Sequence, residues 1–147
     1  MIVLLVLVVS FAVLRILGWA GVTALNEWNL PLRIALFLMF LLTASAHWGR
    51  GRPDLIRMVP AAFPSPGLMV SLTGVLEILG AVGLLIPATA RAAAICLAIL
   101  LVALFPANVR AAREGLTILG HRAMSVSVRG AMQLVFLAAL TVVACLN

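Results

Sequence analysis

Glu77 lies near the middle of an apolar run, residues 67–86, where a charged carboxylate facing lipid would cost about 3 kcal/mol or more. Such a group has to face protein or water. Gly74, Gly80 and Ala81 fall within about 60° of it on a helical wheel, so its face is lined by small residues that permit close helix contact. Arg15 interrupts another apolar run, 2–24. Counted from the same end, the two residues are reached after roughly ten to thirteen positions at about 1.5 Å each, which makes an Arg15–Glu77 pair geometrically feasible. Two roles follow for Glu77: a buried ion pair that fixes helix register, or a carboxyl in a polar cavity that binds or protonates a ligand.

His47 closes the run 31–48, with Thr43 one turn before it. Its imidazole suits a proton exchange near neutral pH or a hydrogen bond to a ligand carbonyl, and equally a helix C-terminal cap. Asn108 follows Pro106, where the missing amide frees carbonyls that need donors, and Gln133 stands one turn into the last run. His47, Glu77, Asn108 and Gln133 are therefore candidates to border one cavity, with Arg15 as a further ligand-binding candidate. No catalytic residue is assigned. The sequence carries no phosphate loop, no nucleophile beside a base and no clustered histidines for metal or haem. Cys96 and Cys145 stand far apart and form no redox motif; they read as packing residues, with a disulfide as the lesser alternative.

The elements that must position these side chains are transmembrane helices. Of the 147 residues, 65% are hydrophobic and 10% charged, and the mean hydropathy is +1.28. Soluble domains do not have this composition. The pattern predicts one all-α transmembrane domain over 1–147, a bundle of five spans at about 2–24, 31–48, 67–86, 90–106 and 130–146. The first run is read as a retained helix, since it lacks a basic leader segment and contains Arg15. Between 49 and 66, four prolines allow only a short interfacial turn at 54–59. Pro87-Ala88-Thr89 makes the third and fourth spans antiparallel neighbours, and the stretch after Pro106 is expected to lie on the membrane surface.

The formal net charge is +6, and every basic residue is an arginine. Assigning loops to alternate sides gathers Arg50, Arg52, Arg57, Arg110, Arg113, Arg122 and Arg129 on one side and leaves Arg33 and Arg91 on the other. This is a topology signal in the cell membrane rather than a nucleic-acid surface. It predicts a cytoplasmic N-terminus and an external C-terminus.

Taken together, the motifs resemble the DoxX-like family of small integral membrane proteins over about residues 32–144. The matching elements are His47-Trp48, Pro53, Val59-Pro60, Phe63-Pro64-x-Pro66, Gly74-x-x-Glu77-Ile78, Gly83-Leu84-Leu85-x-Pro87, Arg91, Phe105-Pro106-Ala107-Asn108, and Arg129 with Gln133. The chain departs from that family in its added first span with Arg15 and in lacking an aromatic, proline-rich segment after Asn108. The resemblance implies a four-helix core holding His47, Glu77 and Asn108. It also implies an association with thiol or thiosulfate oxidation linked to quinone in some members, and with chaperoning of channel assembly in remote relatives.

Two functions are consistent with these residues. One is an accessory subunit that binds a lipophilic ligand, a quinone being the cofactor considered, in a polar cavity of the bundle. It would need a membrane redox partner, because the chain has no motif for a redox centre of its own. The other is an assembly chaperone whose small-residue face and intramembrane polar groups hold client transmembrane helices. A transporter would require oligomerisation, since no inverted repeat is evident in so few spans.

Overall fold

The structure is a computed structural model that describes residues 1–118 and 120–146; the side chain of Arg122, one of the arginines grouped above, lies outside the described set. The helices are α1 (Ile2–Trp19), α2 (Asn29–Ser45), α3 (Arg52–Met58), α4 (Pro66–Leu85), α5 (Pro87–Arg113) and α6 (Val126–Leu146). A two-stranded hairpin, β1 (Thr117–Ile118) and β2 (His121–Arg122), pairs Ile118 with His121 before α6 begins. Proline stands in the first turn of α3, α4 and α5, where its fixed φ favours a helix start and its missing amide costs nothing.

Helix α2 packs against α1, α4 and α6, and α5 closes the ring by packing against α4 and α6. The α2, α4, α5 and α6 helices thus form a four-helix bundle, with α1 laid on the outside of α2. The N-terminal amine lies 3.9 Å from Met124 Sδ, and Asn29 Nδ2 donates to Leu146 O at 3.5 Å. Helices α1 and α6 therefore start at one end of the molecule, while α2 starts at the other. Inside the ring, Leu36, Met39 and Phe40 of α2 meet Leu84 of α4, Leu97 of α5, and Leu140 and Val143 of α6.

The outer surface is apolar as well. Leu5, Val9 and Ile16 of α1, Leu68 and Leu79 of α4, Ile99 of α5 and Leu134 of α6 are all exposed. Water would not tolerate such a surface, whereas hydrocarbon does. Helices α1, α4, α5 and α6 are each long and apolar enough to cross a membrane, so the chain is a multi-pass membrane protein. Helix α2, with 17 residues, is shorter, about 25 Å at 1.5 Å per residue.

Two expected boundaries move. Helix α1 ends at Trp19, five residues short of the run's end. There the chain turns through Gly21, whose φ of +121° excludes other residue types. Arg15 holds that turn by donating from Nη1 to Leu25 O at 3.0 Å and also to Asn26 O, with its guanidinium over Trp19 and Trp28 at 5.6 and 5.1 Å. Helix α5, expected to stop at Pro106, runs on to Arg113. The surface segment expected after Pro106 is instead the last two turns of α5 followed by the hairpin.

Candidate functional site

Polar side chains meet where the end of α2 crosses the middle of α4. Thr43 Oγ1 lies 2.8 Å from Glu77 Oε2, and Thr73 Oγ1 lies 3.3 Å from His47 Nε2. Thr43 and His47 are one turn apart on one strand of the contact, Thr73 and Glu77 one turn apart on the other. Antiparallel packing pairs each threonine with the titratable residue opposite. His47 and Glu77 are both buried, at 6% and 5% exposure, in a bundle whose surroundings are hydrocarbon.

The close approach depends on Gly74. A Cβ built there would stand 2.7 Å from His47 Cβ and Cγ and from the Trp48 ring. Arg52, on α3, fixes the turn that carries His47 by donating to His47 O at 2.8 Å and to Gly67 O and Ser71 Oγ of α4 at 3.1 and 3.0 Å. His47 itself lies in the turn beyond the end of α2. Burial, and secondarily the charge of Arg52, hold its imidazole below its ordinary pKa.

Proton counting sets what these pairs can do. Thr43 Oγ1 is also 2.9 Å from Phe40 O, and Thr73 Oγ1 is 3.0 Å from Met69 O. A hydroxyl has one proton to give. When Thr43 gives it to Phe40, a carboxyl proton of Glu77 must close the pair; when it gives it to Glu77, the carboxyl accepts. Thr73 offers His47 the same choice between receiving and donating. The Nδ1 atom of His47 is buried and has no hydrogen-bond partner among the described residues. A buried polar atom without a partner is uncommon, and it marks Nδ1 as an atom of this site with an unused hydrogen-bonding valence.

The remaining sequence-predicted residues lie elsewhere. Asn108 and Gln133 belong to the α5–α6 contact: Arg129 Nη1 donates to Asn108 Oδ1 at 2.6 Å, and Gln133 Nε2 donates to Leu101 O at 3.2 Å. The latter bond ties α6 to the backbone of α5 just over a turn before Pro106, inside the helix that runs on past that proline. Replacing Gln133 with leucine removes this bond between α6 and α5 and is expected to lower stability by about 1 kcal/mol. A thermal unfolding series in detergent checks this. Gln133 also lines a shallow lateral recess of about 240 Å³ with Phe105, Gly130, Leu134 and Leu137.

No hydrogen bond among the described residues joins these two groups into the single cavity expected from sequence. The Arg15–Glu77 pair does not form either, because Arg15 is committed to the loop carbonyls at the far end of α1. Cys96 and Cys145 are free and exposed. The described residues hold no cluster of His, Cys, Asp or Glu able to bind a metal.

Sequence reasoning passed over three residues. Thr73 stood four positions before Glu77, a spacing that could have paired it with Thr43 and His47. Arg52 and Arg33 were counted only as topology markers. Arg33 is in fact 5% exposed, and its guanidinium caps α4 by donating to Leu84 O and, at 2.8 Å, to Leu85 O. An arginine two residues after Pro31 inside an apolar run was the available signal.

Residues 36–144 match a family model described as a domain of unknown function, DUF8561. No curated protein and no solved structure matches the chain. The matched stretch takes in His47, Glu77, Asn108 and Gln133 and begins after α1. With that match spanning most of its length, the chain belongs to the DUF8561 family.

Proposed function

We propose that this chain is a DoxX-like cell-membrane protein of five spans that binds a quinone-like lipophilic ligand beside His47 and Glu77, as an accessory subunit of a membrane redox system. The observation that carries the reading is the unpartnered Nδ1 of buried His47, one turn from the Thr43–Glu77 pair. A quinone carbonyl accepts a hydrogen bond and its hydroquinone hydroxyl donates one. A neutral imidazole nitrogen can serve either form by changing tautomer. Electrons would come from a partner protein, and the chain's part is to hold the ligand and exchange a proton with it at His47, with Glu77 a second acid nearby.

Helix α2 is taken as the fifth span because it lies antiparallel between α1 and α4. The orientation, N-terminus in the cytoplasm and C-terminus outside, rests on the arginines at the end where Arg110 bonds Val59 O and Arg57 bonds Thr117 O.

Mass spectrometry of small molecules that co-purify with the detergent-solubilised protein tests the reading. The wild type should retain a quinone-like lipid, and Glu77→Gln and His47→Asn should each lose it by about tenfold, the ratio that ~1.4 kcal/mol of binding gives. Gln133→Leu, at the other helix contact, should retain it. Equal retention by all variants removes His47 and Glu77 from the site.

A second reading, a chaperone or accessory subunit for client transmembrane helices, is favoured by the lateral recess at Gly130 and Gln133. Gly74 and Gly80 are not available for that role. Gly74 lies against His47 and Trp48, and Gly80 against Leu97 of α5. Under this reading no small molecule is retained, and a membrane protein co-purifies whose recovery falls with Gly130→Leu.

A further inference from the structure

The end of the bundle remote from the arginine-rich loops carries an open recess of about 690 Å³ between the start of α2 and the end of α6. That volume lies within the ~300–1,000 Å³ typical of small-molecule sites. Trp28, Leu30, Val142 and Leu146 supply an apolar wall, and Glu27 and Arg33 bring one negative and one positive group to the same space. Arg33 is anchored by its bonds to the carbonyls of Leu84 and Leu85. A guanidinium has five N–H groups, so those bonds leave others for the recess. Glu27 is exposed.

The recess is level with the helix ends, where exposed Trp19 and Trp28 mark the depth of lipid headgroups. A site there that pairs one fixed cation with one anion above an apolar wall matches a zwitterion carrying acyl chains. An anionic lipid would meet Glu27 with the wrong sign. A quaternary ammonium has no N–H to give the carboxylate, and the Trp28 ring it would otherwise use already faces the Arg15 guanidinium.

We propose that this recess binds the headgroup of a phosphatidylethanolamine-type lipid, with phosphate on Arg33, ammonium on Glu27 and the first methylenes against Leu30, Val142 and Leu146. The site is separate from the one at His47 and Glu77, and neither depends on the other.

The test uses the full chain in nanodiscs containing equal phosphatidylethanolamine, phosphatidylcholine and phosphatidylglycerol, followed by native mass spectrometry of the lipids retained on release. The wild type should hold phosphatidylethanolamine over each of the others by about fivefold, the ratio that ~1 kcal/mol of an ion-pair contact gives. Glu27→Gln, at an exposed position and without effect on the helix contacts, should abolish that preference. Arg33→Lys should lower retention of all three lipids.

Equal retention by the wild type overturns the proposal, as does a preference that survives Glu27→Gln. A further arm titrates free O-phosphoethanolamine into the protein in phosphatidylcholine nanodiscs. Saturable binding of the free headgroup, abolished by Glu27→Gln, together with no preference for phosphatidylethanolamine in the mixed nanodiscs, would show a site for a soluble zwitterion and overturn the lipid assignment.

Discussion

Replacing Gly74 with alanine is expected to destabilise the protein by about 2–3 kcal/mol, the cost of forcing an extra methyl into a packed contact together with the hydrogen bonds that loosen beside it. The added Cβ would fall 2.7 Å from two atoms near the root of the His47 side chain, which cannot swing aside as a side-chain tip can. Helices α2 and α4 must separate, and the Thr43–Glu77 and Thr73–His47 contacts open with them. Gly67→Ala is the matched control on the same helix. Its Cβ would meet only Arg52 Nη2 and Ile56 Cδ1, at 3.8 and 3.9 Å. That variant should be neutral or slightly more stable. Unfolding midpoints of both variants in the same detergent decide the matter, and equal midpoints would mean that the joint is loosely packed.

Arg33→Met is expected to cost about 3 kcal/mol. It removes the donors that satisfy two carbonyls at the C-terminal end of α4, and each unpaired buried acceptor costs roughly 1–3 kcal/mol. The loss should be largest for this end of the bundle, because Pro87 follows at once and supplies no amide of its own. Arg33→Lys should recover part of the deficit, since an ammonium can reach one carbonyl but cannot fork across two. Hydrogen exchange of the amides around 84–89 gives a local readout. Protection that is unchanged in Arg33→Met would show that the cap is dispensable.

The four long apolar helices were legible because hydrocarbon imposes so strict a composition that each long run of apolar residues declares itself. The stops were less so. Arg15 gave no sign that it would reach out of α1 to the loop carbonyls, because a long side chain can place its charge a full turn from its Cα. Counting residues along a helix therefore overstated how near Arg15 comes to Glu77. Pro106 looked like a terminus because a proline removes one bond. What holds α5 around that point includes contacts from α6, such as the Gln133 bond to Leu101 O, and no local window contains another helix.

Within the candidate site, the burial of Glu77 and the small residues around it followed from hydropathy and periodicity alone. The division of His47 with Glu77 from Asn108 with Gln133 did not. It depends on which helix faces which, and four helices of similar apolarity leave that choice to tertiary packing. Asn108 sits opposite Arg129 rather than facing a central space.

The register between α2 and α4 has one more consequence. Each threonine stands opposite a titratable residue, so the acid and the base are offset from one another by one helical turn. A shift of one turn would set the imidazole against the carboxyl, and the two would neutralise each other as a closed pair. In the register adopted, the hydroxyls act as insulators that keep an acid and a base at close quarters without letting them quench.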